Sequence, residues 1–260
     1  EKLFKGTNPV TGAPNTTTNV VEPGDYLLAI AEFPDFLNAA TNVNYATFSS
    51  ATSMVTGLSF VQVATVTGAG TSGASFGLVP APVAAWTANG LPAPSGGFGT
   101  IFQVYDDPIG THLPGLTGLT TASGVTAVTD GSLEWEFGFT GTPGEFFSAT
   151  TADNLPPVGP DAANITLIDS LTTFANMNLT FSSVGALELR GHDFLGFGLG
   201  KHDLQLQGNL GSGGAFPAGS YDIHTDTDAY IKVVPEPVSG VVWLLLASGT
   251  ICCLGRGRKA

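Results

Sequence analysis

The segment Leu133-Glu134-Trp135-Glu136-Phe137-Gly138-Phe139-Thr140 alternates without a break, with Leu, Trp and two Phe at one parity and Glu, Glu, Gly and Thr at the other. Period two sends successive side chains to opposite sides of a strand, so this run reads as a half-buried strand of an antiparallel sheet with its acids on the solvent face. The same period recurs at 186–190, with Leu187 and Leu189 inward, and in Leu204-Gln205-Leu206-Gln207. Further β-rich runs lie at 26–31, 58–67, 101–105, 179–181, 219–225 and 229–234, divided by clusters of Gly, Pro, Asn and Asp. Short helices are expected near 32–40 and 165–176. About nine short strands with no strongly amphipathic helix predict an all-β chain, an antiparallel β-sandwich or jelly roll.

Composition agrees with a folded β domain of this kind. With 35 Gly and 17 Pro in 260 residues and only 11% charged residues, the chain is unlike a helical, ion-pair-laced enzyme, whereas 43% hydrophobic residues and 17 Phe supply a core. The net charge of −13 argues against nucleic acid as a partner. Its distribution is uneven: residues 1–234 carry 20 acids and 5 bases, and residues 235–260 carry 1 acid and 3 bases. Both cysteines, Cys252 and Cys253, fall in that last part, so the main domain must be stabilised by burial and not by disulfides. Three regions are therefore expected: an extended N-terminal arm over 1–23, an acidic ectodomain over 24–234 and a tail over 235–260. No apolar signal-peptide core is visible from Glu1 onward, so any such segment is expected to precede Glu1.

Several patterns bear on chemistry. Gly68-Ala69-Gly70-Thr71-Ser72-Gly73 fits G-x-G-x-x-G, but no helix is expected after it to hold a phosphate, so a glycine-rich hairpin loop is the better reading. Gly73-Ala74-Ser75-Phe76-Gly77 fits G-x-S-x-G without the strand-to-helix elbow that a nucleophile needs. Asp222, His224, Asp226 and Asp228 occupy every second position, and on one strand they would share a face. A cation would relieve the repulsion of the three carboxylates, and Ca²⁺ suits oxygen ligands; an exposed Asp/Thr turn is the competing reading, and no other cofactor is expected. Glu134 and Glu136, at one parity of one strand, have the spacing a glycan-cleaving pair would require, although a solvent face explains them more simply.

The tail is the most specific feature. After Val233-Val234-Pro235-Glu236-Pro237 come 17 uncharged residues, 238–254, and then Arg256, Arg258 and Lys259. As a helix the apolar run would be about 26 Å long, within the range that spans a bilayer, and the cations mark its cytoplasmic end, which puts 1–234 outside. A basic end also disfavours a lipid-anchor signal.

Pro235-Glu236-Pro237, an apolar span and a basic cluster, in that order, resemble the PEP-CTERM sorting signal of bacterial surface proteins; the resemblance covers residues 235–260. It implies that Pro235, Glu236 and Pro237 are read by a membrane-embedded exosortase, while a transmembrane helix over 238–254 and the stop cluster Arg256, Arg258 and Lys259 hold the precursor in the membrane. It also implies delivery to the cell surface or extracellular matrix, often alongside exopolysaccharide. The two prolines are expected to keep this segment extended and apart from the last strand of the domain. The function expected from the whole sequence is a non-enzymatic surface or matrix protein, with a carbohydrate-binding module as the alternative and a glycan-cleaving enzyme behind it.

Overall fold

A computed structural model of the chain describes residues 2–16, 20–33, 35–38, 43–47, 54–68, 74–95, 97–107, 121–151, 163–170, 187–189, 203–211, 224–231 and 233–235. The strands are β1 (Lys2–Phe4), β2 (Tyr26–Phe33), β3 (Asp35–Asn38), β4 (Val43–Thr47), β5 (Met54–Thr67), β6 (Ala74–Pro80), β7 (Thr100–Asp107), β8 (Ser132–Gly138), β9 (Phe146–Thr151), β10 (Ala163–Ser170), β11 (Leu187–Leu189), β12 (Leu204–Gly211), β13 (His224–Ile231) and β14 (Val233–Pro235). Two helices, α1 (Val83–Ala88) and α2 (Thr121–Thr129), accompany them. The protein is mainly β, and its strand pairs are antiparallel.

Ten strands join in one hydrogen-bonded sheet, and six of them close a circuit: β5 pairs β6, β6 pairs β9, β9 pairs β10, β10 pairs β8, β8 pairs β7 and β7 pairs β5. The 14-residue β5 makes this possible because Met54 to Ser59 pair with β7 while Val61 to Thr67 pair with β6. At the far side β10 does the same, with Ile165 to Leu167 on β9 and Asp169 to Ser170 on β8. Two strand pairs, β6–β9 and β7–β8, thus lie between two shared strands. Outside them, β1–β2 extends the sheet from β5, and β12–β13 extends it from β10.

The circuit encloses one core. Val55, Val61 and Val63 of β5, Ala74, Phe76 and Leu78 of β6, Phe102 and Val104 of β7, and Trp135 and Phe137 of β8 form a single buried cluster. A second cluster covers the other face of β2, β5 and β7: Leu28, Ile30, Leu58, Phe60 and Tyr105 pack against Trp86 of α1 and Val125 and Val128 of α2. The Trp86 ring meets Phe60 edge-on at 5.4 Å, and Phe60 stacks on Tyr26 at 5.3 Å. Burial on both faces explains why β5 and β7 read as apolar runs instead of alternating ones.

Three expectations change. Residues 35–38 and 163–170 are strands, not helix: a proline precedes the first in sequence and disfavours a helix interior there, and Ile165, Thr166 and Ile168 are β-branched and suit a pleated surface. The helices lie elsewhere, α1 starting directly after Pro82, whose fixed φ suits a helix entry, and running through Ala84 and Ala85. The acids of β8 are also not a solvent face. Ser132 and Leu133 are exposed, whereas Glu134 and Glu136 are buried. The expected runs at 179–181 and 219–223 lie outside the described residues.

Candidate functional site

Register explains how the period fails in β8. Gln103 pairs with Glu136 and Val104 with Trp135, but Tyr105 pairs with Leu133, so Glu134 is the extra residue of a β-bulge. A second bulge, at Ile101 of β7, turns Ile101 and Phe102 into the same core. Leu58, the β5 partner of Gln103, belongs to the helix-covered cluster, and Val55, the partner of Asp106, belongs to the enclosed one. Glu136 therefore sits with Gln103 on the helix-covered face, and Glu134 sits beside Asp106 on the enclosed face. The two glutamates do not share a face, so they do not flank one cleft as a glycan-cleaving pair would.

Glu136 is fully buried and saturated with donors. The Ser95 amide donates to Oε1 at 2.9 Å, the Ser95 hydroxyl to Oε2 at 2.7 Å, and Gln103 Nε2 to Oε1 at 2.8 Å. The Tyr105 hydroxyl completes the chain by donating to Gln103 Oε1 at 2.9 Å. Burial, with the charge of Glu136 second, pushes the Tyr105 pKa well above the usual phenol range, so it stays a donor. A carboxylate bound in this way fixes the 91–95 segment to β8. Next to it the loop runs on through Gly97 to Phe98, whose ring is 67% exposed.

A second buried acid organises the N-terminal arm. Asp25, with no exposed surface, accepts from Lys5 Nζ at 2.6 Å, the Gly6 amide at 2.9 Å, Asn15 Nδ2 at 2.7 Å and the Glu22 amide at 2.9 Å. Lys5 also donates to Glu22 Oε2 at 2.9 Å and to the Val20 carbonyl at 2.7 Å. Together with β1 on β2, this ties residues 2–16 to the sheet. Gly24 is required here, since its φ is +93° and a Cβ would run into the Thr7 carbonyl oxygen.

The sequence-derived sites are placed as follows. His224, Asp226 and Asp228 occupy alternate positions of β13, opposite Gly211, Asn209 and Gln207 of β12; Asp222 lies outside the described residues. Pro235 is the last residue of β14, opposite Leu187, so pairing continues up to the first proline instead of stopping before it. A strand's end tolerates proline because no ladder donor is required there. Glu236, Pro237, residues 238–254, Arg256, Arg258 and Lys259 lie outside the described residues; among those described, no helix is long and apolar enough to cross a membrane. Thr67 pairs with Ser75, so β5 and β6 are consecutive antiparallel strands and Ser75 stands in a strand, not at an elbow; residues 69–73 of the G-x-G-x-x-G stretch lie outside the described residues. No group of three or more His, Cys, Asp or Glu suited to a metal occurs among the described residues.

Sequence reasoning missed both Asp25 and the Gln103–Glu136 pair. A signal existed for the second, because Gln103 interrupts the apolar run Ile101-Phe102-Gln103-Val104-Tyr105, and a polar residue there needs a buried partner. Comparison with protein-family models, curated proteins and solved structures yields no match.

Proposed function

We propose that this chain is an exported bacterial cell-surface or extracellular-matrix protein with a structural or interaction role and no enzymatic activity. It is processed by an exosortase through a PEP-CTERM-like tail. The observation that carries this reading is the order of Pro235-Glu236-Pro237, 17 uncharged residues and Arg256, Arg258 and Lys259. In this reading residues 238–254 form a transmembrane helix that holds the precursor, the basic cluster stays cytoplasmic, and the domain folds outside as a sandwich of jelly-roll type. The outside location is supported by the basic cluster Arg256, Arg258 and Lys259 on the far side of the apolar run from the acidic segment 1–234. Matrix exopolysaccharide is the natural neighbour of such a protein. A carbohydrate-binding module is the second reading, supported by the exposed ring of Phe98 beside the Ser95–Glu136 anchor, with Ca²⁺ at Asp222, His224, Asp226 and Asp228 as the ion it would use.

The test is the fate of the tail in the native host. A plain anchor needs only apolar length and cations, so Glu236→Gln would leave it unchanged. An enzyme that reads the motif would leave that variant as an unprocessed, heavier precursor in the membrane fraction. Equal ratios of membrane-bound to released protein for wild type and variant overturn the exosortase reading. Reversal of Arg256, Arg258 and Lys259 to Glu is the topology control, since it disturbs insertion either way.

A further inference from the structure

The contact between Lys5 and Asp25 joins a nucleophile to a carbonyl carbon. β1 and β2 keep one register from Lys2 opposite Leu28 to Phe4 opposite Tyr26, and its next step sets Lys5 against Asp25. Lys5 Nζ lies 2.6 Å from Asp25 Oδ2, and the two side chains are 23% and 0% exposed. A primary amine therefore stands against a carboxyl that water does not reach, and these are the two groups from which an amide is made.

The neighbouring groups are ordered around that pair. Oδ1, the other oxygen of Asp25, accepts from the Gly6 amide at 2.9 Å and from Asn15 Nδ2 at 2.7 Å. Two fixed donors on one carboxyl oxygen stabilise the negative charge that develops there when a nucleophile adds to the carbon. Asn15 is held in turn by the Pro23 carbonyl at 3.0 Å. Glu22 Oε2 lies 2.9 Å from Nζ, in reach of its protons, and the Val20 carbonyl at 2.7 Å holds the amine from another side. Every group named comes from residues 5–25, so the site is complete once β1 docks on β2.

We propose that Lys5 and Asp25 react to form an intramolecular amide bond that locks the N-terminal arm to the sheet. Nζ first gives one proton to Oδ2 across their contact, leaving a neutral amine beside a carboxylic acid; burial favours this exchange, because a neutral pair forfeits no ionic solvation. The Nζ lone pair then adds to Cγ, and Oδ1 carries the negative charge toward its two donors. Glu22 accepts a second proton from Nζ and passes it to the Oδ2 hydroxyl, the Cγ–Oδ2 bond breaks, and water leaves. One hydrogen stays on the amide nitrogen. An ammonium and a carboxylate thus become an amide and a water, and the balance calls for no oxidant or activated donor.

The bond acts in addition to the stabilisation that the contacts of Asp25 give the arm. β1 is only three residues long, and the segment 1–234 has no cysteine with which to secure it. Closing the chain between residues 5 and 25 restricts the unfolded state as a disulfide does.

The experiment is the intact mass of the full chain purified in detergent micelles. Wild type should be lighter than its sequence by one water, and proteolysis should yield a branched peptide that joins residue 5 to residue 25. Lys5→Arg keeps a cation beside the carboxylate but lacks the amine, so it should retain its full mass, as should Asp25→Ala. Followed by mass on refolding, Glu22→Gln should form the bond at least about 100-fold more slowly; a rate equal to that of wild type would remove Glu22 from the step. A wild type at full mass, with Lys5 and Asp25 in separate peptides, overturns the bond. Loss of ammonia with a link from Lys5 to Asn15 overturns Asp25 as the group attacked. The wild-type mass decides the matter even if a variant fails to fold.

Discussion

Replacing Asp25 with Ala tests whether the N-terminal arm belongs to the cooperative fold. Four donors converge on this carboxylate, but they would not suffer equally. Asn15 Nδ2 keeps the Pro23 carbonyl at 3.0 Å, and Lys5 keeps Glu22 and the Val20 carbonyl. The amides of Gly6 and Glu22 lose the acceptor shown for them. Each donor left without a partner when buried costs about 1–3 kcal/mol, and removal of one member of a buried ion pair costs about 3–5 kcal/mol in all. These figures describe overlapping losses, so the expected total is about 3–5 kcal/mol, a large fraction of the ~5–15 kcal/mol that holds a typical domain together. For a domain of this size that is a fall in Tm of about 6–20 °C. Asp25→Asn keeps one acceptor oxygen and should cost less, about 1.5–3 kcal/mol. Denaturant melts of the full chain in micelles give the totals, and hydrogen exchange at Gly6 and Glu22 gives the location. A Tm for Asp25→Ala within about 2 °C of wild type would refute the reasoning, as would loss of amide protection confined to 2–16, because the arm would then be an appendage.

Two further outcomes follow from the same structure. Gly24→Ala should destabilise the fold by at least about 1–3 kcal/mol, since φ is +93° and the new methyl meets the Thr7 carbonyl; a melt indistinguishable from wild type would show that the 6–7 and 24–25 segments separate at little cost. If Asp222, His224, Asp226 and Asp228 hold Ca²⁺, the ion at a hundredfold excess over its Kd should add about 2.7 kcal/mol of stability, and the double variant Asp226→Asn with Asp228→Asn should abolish the gain; an identical gain in the variant would place any Ca²⁺ elsewhere.

Periodicity revealed which segments become strands wherever burial is one-sided or the run is long, as in β2, β5, β7, β8 and β12. It failed where local chemistry competes with pattern. In β8 the spacing of Leu, Trp and Phe is regular, yet the bulge at Glu134 and the helix-covered outer face bury both acids, and neither feature leaves a mark in an alternating string. The expected helix near 165–176 gives way to a strand over 163–170, which Ile165, Thr166 and Ile168 favour, and α1 escapes the pattern because six residues are too few to show a helical period. Short β1 and the tie of Lys5 to Asp25 depend on contacts 20 or more positions apart, which no local window contains. The tail motif, by contrast, is legible because it is an ordered string of residues whose recognition does not depend on tertiary structure.

The shared strands β5 and β10 also set an order of events during synthesis. β5, β6, β7 and β8 leave the ribosome before β10, which begins at Ala163, about a hundred residues after β5 ends at Thr67. Until then the circuit has a gap: β8 and β9 each present a row of backbone donors and acceptors that β10 is meant to occupy. An incomplete chain of this kind is sticky toward other copies of itself, and the β6–β9 pairing that completes the circuit with β10 joins residues such as Ala74 and Thr151 that are far apart in sequence, which is slow. The interval between the appearance of β9 and the docking of β10 is therefore when the nascent protein most needs a chaperone, and substitutions that weaken β10 should lower yield in the cell more than they lower the melting point of the molecules that succeed in folding.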